Sequence, residues 1–368
     1  MNNHPIMKNR IYLVLLSLAA LAACTKTLSS PVGSGECILT ASFSEPSTKV
    51  GSQTLTNEKA IQNVQVFVFR AGEGGDAGVL EIAASAGFDQ ALNVTTGTYK
   101  GITVKCSTGQ REIWVVVNDS RDRTAGPDAV QTKVDFLALT HELENSTPTK
   151  LLMIGRSNPE SSNPAITLTE GTMEVTVPVH RLAASVCLES VRNDFSSPAY
   201  RKSDIFRLEA AYLINVPGRI NFGETSEPSA LDHQDWYARL AAETAGARAA
   251  ILYDSLNGEL LNYGEVHSVK HTFYTYPNNC DPSGDASFSP RATVLVLEAS
   301  IKYPDGWIKY YYPVSLGSGL QSNKQYHVNL TVHRPGSTDP NKPVTFADLT
   351  PVVDVSNWED GDTYNPEI

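Results

Sequence analysis

Val64-Gln65-Val66-Phe67-Val68-Phe69 is the stretch on which the fold turns. Every position but Gln65 is β-branched or aromatic, and the run is too short and too unpunctuated by polar residues for a surface helix. Ile113-Trp114-Val115-Val116-Val117 repeats the signal. Working outward, Cys37-Ile38-Leu39-Thr40-Ala41-Ser42-Phe43, Met173-Glu174-Val175-Thr176-Val177, Thr293-Val294-Leu295-Val296-Leu297-Glu298 and Tyr326-His327-Val328-Asn329-Leu330-Thr331-Val332 show short alternations of the same kind. Gly, Pro, Asn and Asp cluster between them, as in residues 71–78 and 278–290. Many short strands at even spacing predict a mainly β protein built of sandwiches.

Two segments depart from this rhythm. Residues 134–143 place Phe136, Leu139 and Leu143 at helical spacing, and residues 231–251 are Ala-rich around Trp236 and Leu240. Both are expected as helices carried on a sheet protein. A boundary is expected near residues 183–200, giving domains at 37–190 and 191–368, both of ordinary size.

The chain has 368 residues, is 41% hydrophobic and carries 29 Lys+Arg against 40 Asp+Glu, a net charge of −11. It can bury real cores. An acidic balance excludes a general nucleic-acid binder and offers nothing to an anionic membrane surface. Attachment to a membrane must come from a local device, and the N-terminus supplies one. Lys8 and Arg10 precede an apolar run at residues 11–21, which ends in Leu21-Ala22-Ala23-Cys24. The run is too short to span a bilayer but suits a signal-peptide core. The small residues before Cys24 read as a bacterial lipobox: residues 1–23 are a signal peptide, the Cys24 thiol receives lipid such as palmitate, and residues 24–36 are a tether to a membrane. Four further Cys remain, at 37, 106, 187 and 280. They allow three pairings and the sequence chooses none; buried free thiols are the simpler reading.

Catalytic and metal signatures are weak. His267 and His271 are four apart, but in a strand spanning residues 266–276 that spacing means about 13 Å, and no third ligand is signposted. His141-Glu142 falls in the expected first helix without a second His, and Asp232-His233-Gln234-Asp235 reads as helix-start acids. No nucleophile elbow, P-loop or dinucleotide fingerprint occurs, and Gly72-Glu73-Gly74-Gly75 is a turn. The expectation is no enzyme, no cofactor and no metal. Tyr303, Trp307, Tyr310, Tyr311 and Tyr312 flank a Pro304-Asp305-Gly306 bend, either packing across a hairpin or offering a glycan platform.

The ordered features resemble the fimbrillin-like lipoproteins of Bacteroidales, whose polymers are type V pili. The matching pieces are residues 63–69, Ile113-Trp114-Val115-Val116-Val117-Asn118, Val179-His180-Arg181-Leu182-Ala183-Ala184, Leu213-Ile214-Asn215-Val216 and Phe273-Tyr274-Thr275-Tyr276-Pro277-Asn278. Tyr311-Tyr312-Pro313, Gln325-Tyr326-His327-Val328 and Val353-Asp354-Val355-Ser356-Asn357-Trp358 complete the series. The resemblance implies two transthyretin-like β-sandwich domains. It implies a lipidated precursor on the outer membrane, cut by a trypsin-like protease after its first strand. The groove so opened is filled by a C-terminal strand of another subunit. The partners implied are other fimbrial subunits, that protease, and a host or bacterial surface receptor, with no nucleic acid.

The residues here can be set against that scheme. Residues 37–43 alternate, with Leu39, Ala41 and Phe43 on one face of the removable strand. Residues 44–52 are polar and turn-rich, the composition proteases cut, with Lys49 as the basic residue. The family commonly carries Arg there. Arg70 is the second choice, since cutting there removes another core strand. The donor candidate is residues 345–358, in which Val353 and Val355 share one face and Val352 and Trp358 the other; the alternative is an ordinary edge strand of its own domain. The leading expectation is a non-enzymatic fimbrial subunit polymerised by strand exchange. The alternatives are an uncleaved fimbrial anchor retaining its lipid and a glycan-binding surface lipoprotein.

Overall fold

The computed structural model describes residues 35–44, 60–72, 75–89, 92, 98–126, 129–224, 236–237, 249–278, 292–316, 319–340, 342 and 349–357. Cys24, Lys49, Trp358 and residues 232–235 lie outside them.

The alternations become strands almost where their periods place them. The first half carries β1 (Glu36–Ser44), β2 (Val64–Arg70), β3 (Leu80–Ala86), β4 (Thr98–Ser107), β5 (Gly109–Val117), β6 (Thr140–Glu142), β7 (Met153–Arg156), β8 (Ile166–Leu168) and β9 (Gly171–Arg181). The second half carries β10 (Ala184–Asn193), β11 (Phe206–Ile214), β12 (Val216–Pro217), β13 (Arg219–Asn221), β14 (Trp236–Tyr237) and β15 (Tyr253–Leu260). It continues through β16 (Val266–His267), β17 (His271–Thr275), β18 (Val294–Tyr303), β19 (Gly306–Ser315), β20 (Lys324–Val332) and β21 (Leu349–Asn357).

The first eight-stranded sheet has the order β3-β2-β5-β7-β9-β1-β4, with β8 beside β5. It closes on itself because β9 serves two wings. Residues Val179 to Arg181 pair with β7, and Gly171 to Pro178 pair with β1. Inward side chains of both wings, among them Leu39, Val104, Val66, Val115 and Val177, form one apolar cluster. At the fold-over the two backbones touch: a Cβ on Gly155 would overlap the Pro178 carbonyl oxygen. β2 is buried on both faces, so its sequence reads as a continuous apolar run and not as a polar alternation. Val64, Val66 and Val68 face the first cluster, whereas Phe67 and Phe69 belong to a second, larger one.

That larger cluster joins the two halves, and the described body from Gly35 onward forms one compact unit. The helix α1 (Lys133–Ala138) inserts Phe136 against Phe67, Phe69, Trp114 and Phe222, with ring centroids 4.9–5.5 Å apart. Thr132 caps it by accepting from the Asp135 amide. β6 then pairs with β13 of the second half, and His141 Nδ1 sits 2.7 Å from the Tyr276 hydroxyl.

The second half holds a five-stranded sheet, β16-β10-β20-β21 with β17 also on β10, and a four-stranded sheet, β15-β11-β18-β19. Both contribute inward residues to the larger cluster, which makes this half a sandwich too.

Several expectations change. The helix expected over residues 134–143 stops at Ala138, because Leu139 turns extended (φ −57°, ψ 139°) to enter β6. His141 is therefore a strand residue. The helix expected over residues 231–251 contains Trp236 in β14 and only Ala249–Leu252 as helix among its described residues. Among the described residues β10 pairs with β16, β17 and β20 and with no strand of the first half, so strand pairing changes over between Arg181 and Ala184. The hairpin bend falls at Pro304-Asp305, with Tyr303 opposite Gly306, whose φ of 129° suits glycine alone.

Candidate functional site

β1 is inserted between β4 and β9. It runs antiparallel to β4, from Glu36 opposite Ser107 to Ser44 opposite Thr98, and parallel to β9 along its length. Cys37, Leu39 and Ala41 are buried, while Ile38 and Thr40 are half-buried on the outer face; past the register shift at Ala41/Ser42, Ser42 is buried as well. Phe43 continues the backbone pairing, opposite Tyr99 and Val177. The outer face adds the Thr40–Thr103 hydroxyl contact at 3.2 Å and an exposed Glu36–Lys105 ion pair at 2.8 Å. An exposed pair of this kind stabilises little.

Taking β1 away has two consequences. β4 loses its partner, since among the described residues it pairs with no other strand, and β9 loses one along residues 171–178. The backbone rows on either side then face each other across an empty lane, above a trough lined by Ile102, Val104, Cys106 and Val177. β4 is also tied to β3 at its end. Glu81 of β3 accepts from the Ser107 amide and hydroxyl at the end of β4, and Arg111 donates to it at 2.5 Å. A foreign strand supplying apolar side chains at alternate positions would restore both the hydrogen bonds and the burial.

Lys49 lies outside the described residues. Arg70, the second cleavage candidate, is placed: it ends β2, is only 9% exposed, and pairs with Asp76 at 3.2 Å and Glu81 at 3.8 Å. A protease would have to unfold the sheet to reach it.

The donor candidate is an edge strand in this structure. β21 pairs antiparallel with β20 over its whole length, from Leu349 opposite Val332 to Asn357 opposite Lys324. Leu349 is buried and Val353 packs half-buried on the core. Val352 and Val355 are 47% and 57% exposed, unusual for valines on an open sheet edge.

Two other side-chain groups were candidates from sequence. The His267 and His271 rings, expected to be far apart, stack with Nε2 atoms 3.0 Å from each other. β10 advances three residues from Leu188 to Val191 while its partners span four, from His271 to His267, so the extra residue buckles the segment and draws the rings together. His271 Nδ1 sits 2.6 Å from Asp254 and His267 Nδ1 2.9 Å from Glu259. Both acids are on β15, so the pair ties the edges of the two sheets of the second sandwich. Among the described residues no three His, Cys, Asp or Glu side chains converge on a metal position. In the hairpin, the Trp307 ring is covered by the Arg207 guanidinium 4.3 Å from its centroid, with Lys302 at 6.0 Å. Tyr303 and Tyr310 join hydroxyls at 3.0 Å, and Tyr312 is fully buried. The aromatics are engaged with their own neighbours, while Trp307 stays 36% exposed.

Residues 42–181 match the family model for the major fimbrial subunit protein. The major fimbrium subunit FimC of Porphyromonas gingivalis is 24% identical over 344 residues, spanning 90% of this chain and 65% of that protein. This chain therefore covers just under two thirds of that relative. The major fimbrium subunit FimA type-2 of Porphyromonas gingivalis is 20% identical over 415 residues, with 95% and 97% coverage. Among solved structures, a putative cell adhesion protein from Parabacteroides distasonis superposes with a TM-score of 0.61 at 18% identity, covering 88% of this chain and 99% of that one. A fimbrilin from Porphyromonas gingivalis W83 superposes at 0.56 and 17% identity, covering 87% and 97%. These structural likenesses carry the fold.

Proposed function

We propose, on the premise that this chain belongs to the fimbrillin-like proteins of Bacteroidales, that it is a structural subunit of a cell-surface fimbria which polymerises by exchanging its first strand. That family is one of structural subunits and not of enzymes. One observation carries the mechanism: β1 is an interior strand and, among the described residues, the one strand that β4 pairs with, yet the chain joins it to β2 through residues 45–63. A single cut in residues 44–52 leaves β1 held by its ladders and buried side chains alone.

In the full scheme the precursor is exported, carries lipid on Cys24, and is cut after Lys49 by a trypsin-like protease. β1 leaves, and residues 345–358 of another subunit enter the lane between β4 and β9. Val353 and Val355 are the side chains offered to the trough, with Val352 and Trp358 on the other face. The exposed valines of β21 fit a strand whose final partner is not β20. Before assembly β21 rests on β20, so exchange trades one complete ladder for another.

Limited trypsin treatment of the full chain tests this. Cut protein is expected to form ladders of oligomers resistant to mild denaturant, and protein ending at residue 347 is expected to remain monomeric after the same cut. Equal polymerisation of the shortened protein would remove β21 from the donor role. No polymer from either would remove strand exchange.

A further inference from the structure

We propose that Cys37 and Cys106 form a disulfide that latches β1 into its groove, so that proteolysis alone does not free the strand. The proposal rests on the strand-removal reading above and adds a redox condition to it.

The fold selects this pair among the described thiols. Cys37 lies directly opposite Cys106 in the β1–β4 ladder. Two residues earlier the Thr108 amide donates to the Gly35 carbonyl at 3.1 Å. Closely bonded pairs recur at every second position of an antiparallel ladder, so Cys37 and Cys106 fall at one too, where Cα atoms stand about 5.5 Å apart. Disulfides bridge Cα separations of about 4.4–6.8 Å. Both side chains point to the same interior, at 0% and 5% exposure, and Cys106 Sγ already sits 3.8 Å from the Cys37 carbonyl oxygen. Cys187 is in another sheet, opposite Thr272 of β17, whose hydroxyl lies 3.7 Å from its sulfur.

The chemistry is thiol–disulfide exchange with an exported dithiol oxidase or a small disulfide. The thiolate of one Cys attacks a sulfur of the oxidant's disulfide and expels one oxidant thiol. The second Cys thiolate then attacks the mixed disulfide, forms the Cys37–Cys106 bond and expels the other oxidant thiol. The two cysteines give up two electrons and two protons, and the oxidant's disulfide becomes two thiols, on one oxidase or on two small molecules. Once the strand is seated, burial, with the nearby Cys37 adding to it, pushes the Cys106 thiol up to about 12, so Cys106 is inert in the closed sheet. The bond therefore forms while β1 is docking during export. Its later reduction proceeds by fraying at the strand's first residues, where the Glu36–Lys105 pair is exposed.

A latched fragment stays covalently bound to β4 after the loop is cut. It returns to its groove faster than a donor strand from another subunit can enter, because tethering gives it a high effective concentration. Exchange then needs two events in either order, a cut and a reduction.

The test uses the full chain, unfolded, reduced and then refolded in glutathione disulfide, with remaining thiols blocked and the linked peptides mapped by mass spectrometry. A Cys37–Cys106 peptide is expected. After limited trypsin, the N-terminal fragment should stay attached under denaturing, non-reducing conditions and leave on reduction, and oxidised protein should polymerise only after reductant is added. Cys106→Ala and Cys37→Ala should each release the fragment without reductant, whereas Cys187→Ala should retain it. Mapping on the unaltered protein decides the matter if a variant fails to fold. A fragment that leaves oxidised protein without reductant overturns the latch; if that protein still polymerises, strand exchange stands without it. A mapped disulfide with equal polymerisation of oxidised and reduced protein overturns both the latch and the removal of β1.

Discussion

Leu39→Ala is the perturbation that most directly weighs how β1 is held. Leu39 is fully buried, with Val104 opposite on β4 and Met173 opposite on β9. Removing the isobutyl end from such a site costs about 2–5 kcal/mol, the transfer term plus the cavity left behind. Taking about 3 kcal/mol, the ratio of seated to opened β1 falls roughly 150-fold. Under reducing conditions, alkylation of Cys37 and Cys106 reports that ratio, because both thiols are buried while the strand is seated. The alkylation rate of these two, followed by peptide mass spectrometry, should rise by about two orders of magnitude if opening costs the full amount. Cys187, on β10 of the other half, serves as the internal reference and should barely change. Thr40→Ala, on the half-buried outer face, should change the rate by no more than about twofold, as surface substitutions rarely exceed 0.5 kcal/mol. If Leu39→Ala accelerates alkylation no more than Thr40→Ala, the reasoning that β1 is held by its inward side chains is wrong.

Further outcomes follow from the same structure. His141 is buried against Tyr276, and burial holds it neutral down to about 4, against an ordinary value of 6.5. The unfolded chain binds that proton first, so stability from this group is complete above pH 6.5 and is lost as pH falls towards 4, about 3 kcal/mol in all. Wild type should lose that much more between pH 7 and pH 4 than His141→Asn, read as the difference in urea midpoints; parallel curves would contradict it. Gly155→Ala should destabilise by about 1–3 kcal/mol, since the new methyl meets the Pro178 carbonyl where two backbones cross. A melting temperature unchanged by that substitution would mean the β7–β9 crossing is looser than described.

How far the sequence could be read varies with what each signal depends on. β1, β2 and β5 were legible because burial at alternate or successive positions is written locally in Cys37 to Ala41, Val64 to Phe69 and Ile113 to Val117. The end of α1 was not, because Leu139 leaves the helix to let β6 pair with β13, a partner far along the chain. The His267–His271 contact was missed for a related reason: the bulge against β10 is a property of two strands, and the spacing of four in one strand conceals it. Cysteine pairing had three solutions in the sequence, and register alone set Cys37 opposite Cys106. The tail was half legible: the alternation of Val353 and Val355 announces a strand, but only the ladder with β20 shows where it lies.

The central claim is that the first strand departs and is replaced. Filaments sheared from the cell surface and dissociated should be sequenced from their N-terminus, with intact masses recorded. The account predicts subunits that begin at Val50, without lipid and without β1. Subunits that still begin at an acylated Cys24 within the filament shaft, with β1 in place, would contradict it.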